Sequence, residues 1–432
     1  MRRSRNSWLS YQDRTMKAHV ESYGCAANRS YGISIEDTLC ASGFRLSDSS
    51  EAADLVVVNT CTVKGQTEAR MVERIRELSR EGKRVVVTGC MATVQRGLLA
   101  SLVNVEDVIP LEQFCSSFGG HAMDTLGDSS VSLPPLPSKP VGRRAIIPVA
   151  RGCLGSCSYC IVRLAVGPLR SHRIDVLVSH IKKMIDAGAT EIYLASQDLA
   201  TFGYDNGENL LDLLGDISQL RGDFRVRLGM MTPDRAVPFF DGLLTLLESD
   251  QRFYKFLHLP VQSGDDTVLR MMGRGYRSSD FLSLVDEARR RIPTLNITTD
   301  VIVGFPFEET GAFENTMSLV RNALPNKVNV SKFTPRPHTV ASLLPQTDRE
   351  IIDERSREVY DTCKEVTSLA NQRLVGERIK VVPHLFSGGD YLGRAANFLP
   401  VRIKTNRPLE TYSAVLAQVV SATSSGLVAS SG

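Results

Sequence analysis

Three cysteines lie close together in the middle of this 432-residue chain. Cys153, Cys157 and Cys160 have the spacing C-x3-C-x2-C and directly follow the apolar run at 145–150. Thiolates at this spacing can hold three irons of a cubic 4Fe–4S cluster, whose complete protein ligation takes four. The next cysteine along the chain is Cys363, so a cluster held here would keep one iron open for a ligand or cofactor.

A second set of cysteines follows strand-like runs nearer the N-terminus. Cys25, Cys61 and Cys90 each end a short β-branched run, and helical stretches separate the runs. This alternation predicts parallel βαβ units, whose strands all end at one edge of the sheet, where ligands bind. We therefore expect the three thiols to share a metal or cluster; zinc is the competing metal, and simple burial as small apolar side chains is the plainer alternative. Cys40 and Cys115 lack this placement and are expected to be packing residues.

Composition limits the class of protein. The chain is 42% hydrophobic and 23% charged, which is typical of a globular protein of two or three domains. No apolar run approaches the ~20 residues of a membrane-spanning helix, and the N-terminus lacks the apolar core of a signal peptide. We expect a cytoplasmic protein that uses its cysteines for metal binding or catalysis rather than for disulfides. Residues 1–15 carry no pattern. They could form a disordered arm, or translation could start at Met16, and we favour the start at Met16.

The clearest domain boundary is the stretch 129–144, which holds four prolines and no periodicity and predicts a semi-rigid linker. Before it, residues 16–128 predict a Rossmann-like α/β domain. After it, residues 145–370 hold six strand candidates, each followed by a helical stretch. Six such units fit a partial, open (β/α)6 barrel better than the closed barrel of eight. The strand candidates are 145–149, 191–195, 224–228, 255–259, 296–303 and 327–333.

Polar side chains follow or end these strands, where the chemistry of such barrels lies. Any single one could be a cap or a turn residue, but together with the cysteine loop they outline a cofactor pocket. The candidate pocket residues are Ser196, Gln197, Asp198, Arg227, Gln262 and Asp300.

The tail, residues 371–432, holds seven Lys/Arg and three Asp/Glu, so its net charge is +4 while the whole chain carries +3. Short alternating strands predict a small β-barrel of OB type, a fold often used on RNA. The positive charge supports contact with phosphates, although a basic tail is more often only a solvated surface. We expect the last residues, 421–432, to be frayed. The candidate RNA contacts are Arg378, Lys380, Arg394, Asn397, Arg402 and Lys404.

The C-x3-C-x2-C spacing with Tyr159 before the last cysteine resembles the signature of the radical S-adenosylmethionine enzymes. The resemblance implies that the open iron binds the amino and carboxylate groups of S-adenosylmethionine, and that electron transfer then releases a 5′-deoxyadenosyl radical. It also implies that Tyr159 lies beside the adenine. The turn at 196–198 and Gln262 would help to hold the ribose and methionine parts.

The chain after residue 16 resembles the methylthiotransferase family in the order of its parts: a three-cysteine α/β domain, a radical S-adenosylmethionine barrel and a TRAM tail, an RNA-binding module of tRNA-modifying enzymes. Lys64, Gln197-Asp198 and the stretch Lys255–Gly264 are most similar to the archaeal and eukaryotic-type enzymes that act on N6-threonylcarbamoyladenosine beside the tRNA anticodon. The motifs that carry the family resemblance are Tyr23-Gly24-Cys25, Asn59-Thr60-Cys61-Thr62-Val63, Thr88-Gly89-Cys90-Met91 and the TRAM-like Gly393-Arg394 with Asn397-Phe398.

This resemblance implies a role for each cysteine set. A second 4Fe–4S cluster on Cys25, Cys61 and Cys90 would carry an attached sulfur. One S-adenosylmethionine would methylate that sulfur, a second would supply the radical, and the methylthio group would end on C2 of the adenine. The implied partners are the tRNA, a low-potential electron donor such as ferredoxin or flavodoxin, and a sulfur source. We expect a monomer with no membrane contact.

Four positions depart from the family pattern: Tyr31 stands where the family has an acidic residue, Val166 where it has arginine, and Phe307 and His338 where it has glycine. Two alternatives stay open. The same chemistry could act on isopentenyl-adenosine in tRNA or on an aspartate of a ribosomal protein. The chain could also be a non-catalytic iron–sulfur or zinc protein that binds RNA.

Overall fold

The computed structural model describes residues 16–63, 65–102, 105–118 and 133–431. Residues 1–15, Lys64 and residues 129–132 of the predicted linker lie outside the described residues. None of the described helices is long and apolar enough to cross a membrane.

The chain divides into two compact units. The first unit contains the residues up to 140 together with 146–148 and 161–167. The second contains 141–145, 149–160 and the residues from 168 onward. The first change from one unit to the other falls after residue 140, and two short segments beyond it belong to the first unit. The domain boundary at 129–144 stays a prediction.

The first unit is built on a parallel sheet. In chain order its elements are β1 (Lys17–Ser22), α1 (Ala26–Ala41), β2 (Arg45–Leu46), β3 (Leu55–Thr60), α2 (Gly65–Arg80), β4 (Arg84–Gly89), α3 (Cys90–Val94), α4 (Arg96–Ala100), β5 (Val105–Val108) and α5 (Leu111–Phe118). Across the described residues the strand order is β2-β1-β3-β4-β5, and β3 pairs in parallel with both β1 and β4. Every residue of β3 is buried, as expected for a central strand of a sheet covered on both faces.

Helix α2 covers one face of this sheet. Its residues Met71, Ile75 and Leu78 recur at helical spacing and are fully buried against the valines of β3 and β4. This packing fixes the sheet edge at which β3 and β4 end.

The second part of the chain contains the predicted partial barrel. Its elements are β6 (Arg144–Pro148), β7 (Ala150–Arg151), α6 (Val162–Val166, which belongs to the first unit), β8 (Arg170–Ser171), α7 (Ile174–Asp186), β9 (Glu191–Ala195), α8 (Leu210–Gln219), β10 (Arg225–Arg227), α9 (Pro233–Ala236), α10 (Phe240–Ser249), β11 (Phe256–His258), α11 (Asp266–Met271), α12 (Ser278–Arg291), β12 (Asn296–Val303), α13 (Thr310–Ala323), β13 (Lys327–Lys332) and α14 (Arg349–Gln372).

The partial (β/α) barrel is confirmed. Each of the six predicted strand positions is a strand in the described residues, and they form two sheets of order β10-β9-β6 and β11-β12-β13. Strand β9 pairs in parallel with β10, and β12 pairs in parallel with both β11 and β13. A single bridge between Met230 and His258 joins the segment after β10 to β11. Helix α11, between β11 and α12, was not among the sequence predictions.

The tail forms the predicted small β-barrel. Its strands are β14 (Arg378–Ser387), β15 (Asp390–Ala395), β16 (Pro400–Lys404), β17 (Val415–Thr423) and β18 (Gly426–Ser430). In the described residues they close in the order β14-β15-β16-β18-β17. The expected fraying of residues 421–432 is wrong over β17 and β18, because Leu427 and Ala429 are buried in the barrel core. We call this element the C-terminal barrel.

Phe398, in the turn between β15 and β16, anchors the C-terminal barrel on the partial barrel. The backbone N–H of Lys255 donates to the carbonyl of Ala396 at 2.9 Å, which fixes the same turn. The ring of Phe398 packs against three aromatic rings at centroid distances of 5.0–5.7 Å, those of Tyr193, Tyr254 and Phe256. These partners lie on or just before β9 and β11, so the turn occupies the side of the partial barrel where these strands begin.

Glu191, at the start of β9, is the polar centre of this junction. It accepts hydrogen bonds from Arg144 at 2.9 Å and from the Tyr254 hydroxyl at 2.7 Å, and His384 of β14 lies 3.5 Å away. Burial acts to raise the pKa of Glu191, but His384, Tyr254 and Arg144 together lower this pKa to about 2. The carboxylate is therefore charged at neutral pH, and it contacts residues of both the partial barrel and the C-terminal barrel.

Two of the positions that depart from the family pattern keep a backbone that suits glycine. Phe307 has φ +63° and His338 has φ +64°, in the left-handed region that costs an L-residue about 1–2 kcal/mol. Both side chains are exposed. These two positions therefore carry non-glycine residues in a backbone conformation that glycine would favour.

We expect His338→Gly to raise the free energy of unfolding by about 0.5–1 kcal/mol, because the relief of strain exceeds the extra chain entropy of glycine. Urea unfolding monitored by circular dichroism measures this. The control is Glu314→Gly on the exposed side of α13, which should lower stability by about 1 kcal/mol. Equal losses of stability in the two variants would contradict the prediction.

Candidate functional site

The loop with Cys153, Cys157 and Cys160 follows β7, which pairs with β8. Gly152 opens the loop with φ +99°, and a Cβ there would collide with the carbonyl of Pro168. Its N–H donates to Oε1 of Gln197 at 3.0 Å. A glycine is therefore required where the loop leaves the sheet, and Gln197 holds the backbone at that point.

Two sulfurs of this loop lie close to Gly155. A Cβ built on Gly155 would lie 3.2 Å from Sγ of Cys153 and 3.7 Å from Sγ of Cys157, so the glycine leaves room between the two thiols. The N–H of Gly155 donates to Sγ of Cys153 at 3.2 Å. Burial raises the pKa of the Cys153 thiol, so metal binding there must displace a proton.

The other three cysteines stand at the ends of neighbouring strands in the first unit. Cys25 caps α1 just after β1, Cys61 directly follows β3, and Cys90 directly follows β4. Since β1, β3 and β4 are adjacent and parallel, all three positions fall at one sheet edge. A Cβ on Gly24 would lie 2.5 Å from Sγ of Cys61, so the loop of Cys25 passes directly over Cys61. Burial raises the pKa of the Cys61 thiol.

Side-chain amides hold this sheet edge together. Nδ2 of Asn28 donates to the carbonyls of Tyr23 at 2.6 Å and Thr60 at 3.2 Å, which ties the loop of Cys25 to that of Cys61. Nε2 of Gln95 donates to Oγ1 of Thr62 at 2.8 Å and to a carboxylate oxygen of Glu68 at 2.6 Å. Gln95 and Glu68 were not predicted, and only their nearness in sequence to Cys90 and Cys61 could have indicated them.

Val166, which departs from the family pattern, is packed in the first unit. Ala165 and Val166, on α6, are buried in a small apolar cluster with Cys90. The position that carries arginine in the family pattern therefore packs as an apolar side chain here.

The donor sets suit clusters better than single ions. All nine cysteines fall in the described part of the chain, and none forms a disulfide there. Within that part, no three histidine, cysteine, aspartate or glutamate side chains converge closely enough to hold one metal ion. Zinc thiolates all lie about 2.3 Å from one ion, whereas each thiolate of a 4Fe–4S cluster binds its own iron. A loop with three cysteines, two of which have their sulfurs near Gly155, therefore suits a cluster with one open iron better than a single zinc ion.

The three predicted cofactor contacts in the turn after β9 differ in their hydrogen bonding. Oγ of Ser196 is buried and has no hydrogen-bond partner among the described residues, so it is available to a ligand. The carboxylate of Asp198 is fully occupied by Thr232 and by the N–H of Ala200. Burial raises the pKa of Asp198, although these hydrogen bonds act to lower it. Gln197 and Asp198 therefore position the pocket.

Comparison with known proteins agrees with this geometry. Residues 17–110 match the family described as Uncharacterized protein family UPF0004, and residues 147–320 match the Radical SAM superfamily. The chain is 37% identical over 380 residues to a probable threonylcarbamoyladenosine tRNA methylthiotransferase of Pyrococcus horikoshii, covering 85% of this chain and 89% of that protein. The chain belongs to the threonylcarbamoyladenosine tRNA methylthiotransferase family. Relatives with this name occur in Methanocaldococcus jannaschii, at 34% identity over 87% of this chain and 90% of the relative, and in Homo sapiens, at 31% over 79% of this chain and 62% of the relative.

A solved structure shares the fold of this methylthiotransferase. The radical S-adenosylmethionine methyltransferase TsrM of Kitasatospora setae, solved with cobalamin and a [4Fe-4S] cluster, aligns with a TM-score of 0.55 at 15% identity, over 76% of this chain and 77% of that chain. Membership of the Radical SAM superfamily implies a 4Fe–4S cluster and S-adenosylmethionine for this methylthiotransferase as well.

Three other predicted cofactor contacts lie in the cysteine loop, in the segment after β11 and within β12. Tyr159 packs edge-on against Phe305, with ring centroids 6.4 Å apart. Gln262 is buried and has φ +70°, an uncommon conformation for a non-glycine residue at a functional edge. The carboxylate of Asp300 lies 3.0 Å from Nε2 of His258 and accepts from Asn329 at 2.7 Å. Their contacts with the cofactor stay predictions.

The expected cofactor contact of Arg227 is not supported. Its guanidinium lies over the rings of Phe256 at 4.7 Å and Phe398 at 5.3 Å, at the junction with the C-terminal barrel. Burial lowers the pKa of Arg227. Arg227 is the last residue of β10, but the sheet edge lies farther along at Met230, which bridges His258. The cofactor contact of Arg227 stays a prediction.

The predicted RNA contacts of the methylthiotransferase fall into two groups. Arg394 and Asn397 belong to the junction: Arg394 donates to the carbonyl of Phe398 at 3.2 Å, and the buried Asn397 donates to the carbonyl of Thr294 at 3.0 Å. Asn397 therefore positions the C-terminal barrel, and its predicted RNA contact is not supported. The exposed group consists of Arg378, Lys380, Arg402 and Lys404.

Glu308, in the loop after β12, has a pH-dependent role in stability. Its side chain is fully buried, accepts from the N–H of Gly304 at 2.7 Å and lies 3.3 Å from Arg355. Burial raises its pKa to about 7 in spite of these partners. Since the folded pKa exceeds the ordinary value, the protonated form stabilises the fold below about pH 4.5, and this contribution is lost as pH rises through 7.

We expect Glu308→Gln to flatten the pH dependence of stability between pH 4.5 and 7, by an amount on the order of 3 kcal/mol. Thermal unfolding across this range measures the slope. The neighbouring Glu309→Gln is the control, because Glu309 is exposed and should keep the wild-type slope. The prediction fails if Glu308→Gln and wild type lose stability in parallel as pH rises.

Proposed function

We propose that this chain transfers a methylthio group to C2 of N6-threonylcarbamoyladenosine beside the tRNA anticodon, using two 4Fe–4S clusters and two S-adenosylmethionine molecules per product. The observation that carries the proposal is the pair of three-cysteine sets, each at the strand ends of its own unit, in a chain that spans 89% of a relative named for this activity.

The second-unit loop supports the radical half of this proposal. Cys153, Cys157 and Cys160 would hold the cluster, and Ser196 offers a free hydroxyl to the cofactor. Bound S-adenosylmethionine would supply the radical chemistry that an unactivated C–H bond requires. Gln197 accepts a hydrogen bond from the N–H of Gly152 and so holds the start of the loop in place. The electron would come from a low-potential donor such as ferredoxin or flavodoxin.

The first-unit cysteines support the sulfur-delivering half. Cys25, Cys61 and Cys90 would hold the second cluster, with one iron left for the sulfur to be transferred. Asn28 holds two of the three cysteine loops at a fixed separation. A thiophilic iron suits this task, since soft thiolate and sulfide ligands favour Fe–S chemistry. A separate sulfur source must restore the transferred atom.

The C-terminal barrel supports tRNA binding. A cavity of about 490 Å³ is lined by Arg144, His384, Arg394 and Arg402 together with the backbone around Gly426. Positive groups around a concave surface favour phosphate oxygens. Arg378 and Lys380 add exposed cations on β14.

The test is product analysis with defined substrates. Anaerobically reconstituted protein receives reductant, S-adenosylmethionine, a sulfide source and tRNA that carries either N6-threonylcarbamoyladenosine or isopentenyl-adenosine. We expect methylthiolation of the first tRNA, detected by nucleoside mass spectrometry. Methylthiolation of isopentenyl-adenosine or of a ribosomal-protein aspartate alone would replace the proposed substrate. Absence of S-adenosylmethionine cleavage, with about four irons or fewer per chain, would support a non-catalytic RNA-binding protein instead.

A further inference from the structure

The segment between α11 and α12 lies directly against the cysteine loop of the second unit. The N–H of Ser158 donates to the carbonyl of Met272 at 3.0 Å, and Oγ of Ser158 donates to the carbonyl of Met271 at 2.7 Å. A Cβ on Gly273 would lie 2.9 Å from the carbonyl oxygen of Ser156 and 3.5 Å from Cα of Cys157. The two backbones therefore touch between the first and last cysteines of the loop.

The next residue of this segment, Arg274, extends under the loop. Its Nη2 donates to the hydroxyl of Tyr159 at 2.7 Å, and its guanidinium carbon lies 5.8 Å from the ring centroids of both Tyr159 and Tyr276. The hydroxyl of Tyr276 donates to the carbonyls of Pro260 and Val261 at 2.9 Å each. The guanidinium is thus held between a ring of the cysteine loop and a ring fixed to the end of β11.

In the described part of the chain, no salt bridge balances the charge of Arg274. Its Nε is shielded from solvent and has no hydrogen-bond partner there. Its main electrostatic partners are Tyr159, Tyr276 and the thiol of Cys157, and Cys153 and Asp198 also sense its charge. A partly buried cation without a bonded carboxylate is costly. It is compensated if the loop carries a negatively charged group.

We propose that Arg274 is a positioning residue for the Cys153–Cys160 loop, which holds Tyr159 in place and supplies the positive charge that balances a cluster bound by the three thiolates. This inference rests on the cluster site of the proposed function. One positive charge near a cluster stabilises the reduced state, which carries one more electron, and so makes the reduction potential less negative. Arg274 thus adjusts how readily the cluster accepts an electron from its donor.

The test compares Arg274→Met, Arg274→Lys and the control Arg270→Met, which removes an exposed arginine of α11. Each variant is checked by circular dichroism, reconstituted, assayed for iron, and titrated by EPR to find the midpoint potential of the barrel cluster. We expect Arg274→Met to lower the ratio of reduced to oxidised cluster roughly tenfold at a fixed potential, a shift of the midpoint by about 59 mV to more negative values for one electron. Arg274→Lys should lie near wild type in potential, and Arg270→Met should match it.

Two results would overturn the inference. One is an unchanged midpoint in Arg274→Met with wild-type iron content. The other is equal loss of iron in Arg274→Met and Arg274→Lys, which would leave only a packing role. Loss of iron in Arg274→Met that Arg274→Lys restores supports it. If wild-type protein itself binds no cluster at the barrel loop, the proposed function fails, which is a distinct outcome from failure of the Arg274 inference.

Discussion

Cys157→Ala is expected to abolish the formation of 5′-deoxyadenosine and to lower the iron content of reconstituted protein from about eight to about four per chain. Cys157 lies in the middle of the loop, and its thiol borders the open space next to Gly155. Removal of this thiolate leaves two ligands for a cluster that needs three from this loop. Methylthiolation should disappear with the radical. Iron assays and chromatography of the products measure both effects.

The control for Cys157→Ala is Cys363→Ala, which removes a buried thiol from α14 in the same unit. This control should keep wild-type iron content and activity, with at most a modest loss of stability. The first prediction is wrong if Cys157→Ala still produces 5′-deoxyadenosine at more than a few per cent of the wild-type rate.

Cys61→Ala is expected to give a different pattern: cleavage of S-adenosylmethionine persists, while methylthiolation is again lost. Cys61 stands at the end of β3 in the first unit, under the loop of Cys25. Its backbone N–H bonds Sδ of Met71 at 3.2 Å, a contact that alanine retains, so the fold should persist. The iron content should again fall to about four per chain, but the remaining cluster should be the one of the barrel loop.

Cys40→Ala, which removes an exposed thiol from α1 of the first unit, is the matched control for Cys61→Ala and should be fully active. Equal loss of both activities in Cys61→Ala and Cys157→Ala would contradict a division of labour between the two cysteine sets.

The positions of the cluster cysteines could be predicted because they depend on local pattern. Short valine-rich runs that alternate with helices specify parallel strands, and parallel strands place their ends at one edge whatever the details of packing. Cys25, Cys61 and Cys90 therefore could be assigned to one edge from sequence alone. The same rule located the loop of Cys153 after the first strand of the partial barrel.

Other features depend on contacts between segments distant in sequence. Arg274 donates a hydrogen bond to Tyr159, which lies 115 positions away in sequence. Asn397 donates one to the carbonyl of Thr294, 103 positions away. No local sequence pattern indicates either contact. The rings of Phe256 and Phe398 over Arg227 come from β11 and from the C-terminal barrel, so β10 alone does not indicate these contacts. The strands β17 and β18 lack strong local signals, and closure of the barrel around Leu427 and Ala429 decides their order.

The left-handed backbone at Phe307 and His338 is a further case. A sequence with phenylalanine and histidine at these positions predicts ordinary φ values. The surrounding loops nevertheless keep the conformation that glycine would adopt. The structure shows that these two departures change the side chains and add backbone strain. The path of the backbone stays one that suits glycine.

The most direct measurement of the central claim is nucleoside mass spectrometry of tRNA from cells that have the chain, lack it, or carry only Cys61→Ala or Cys157→Ala. The account predicts that 2-methylthio-N6-threonylcarbamoyladenosine is present with the wild-type chain and absent in the other three, while N6-threonylcarbamoyladenosine accumulates. Methylthio-adenosines unchanged by removal of the chain would contradict it.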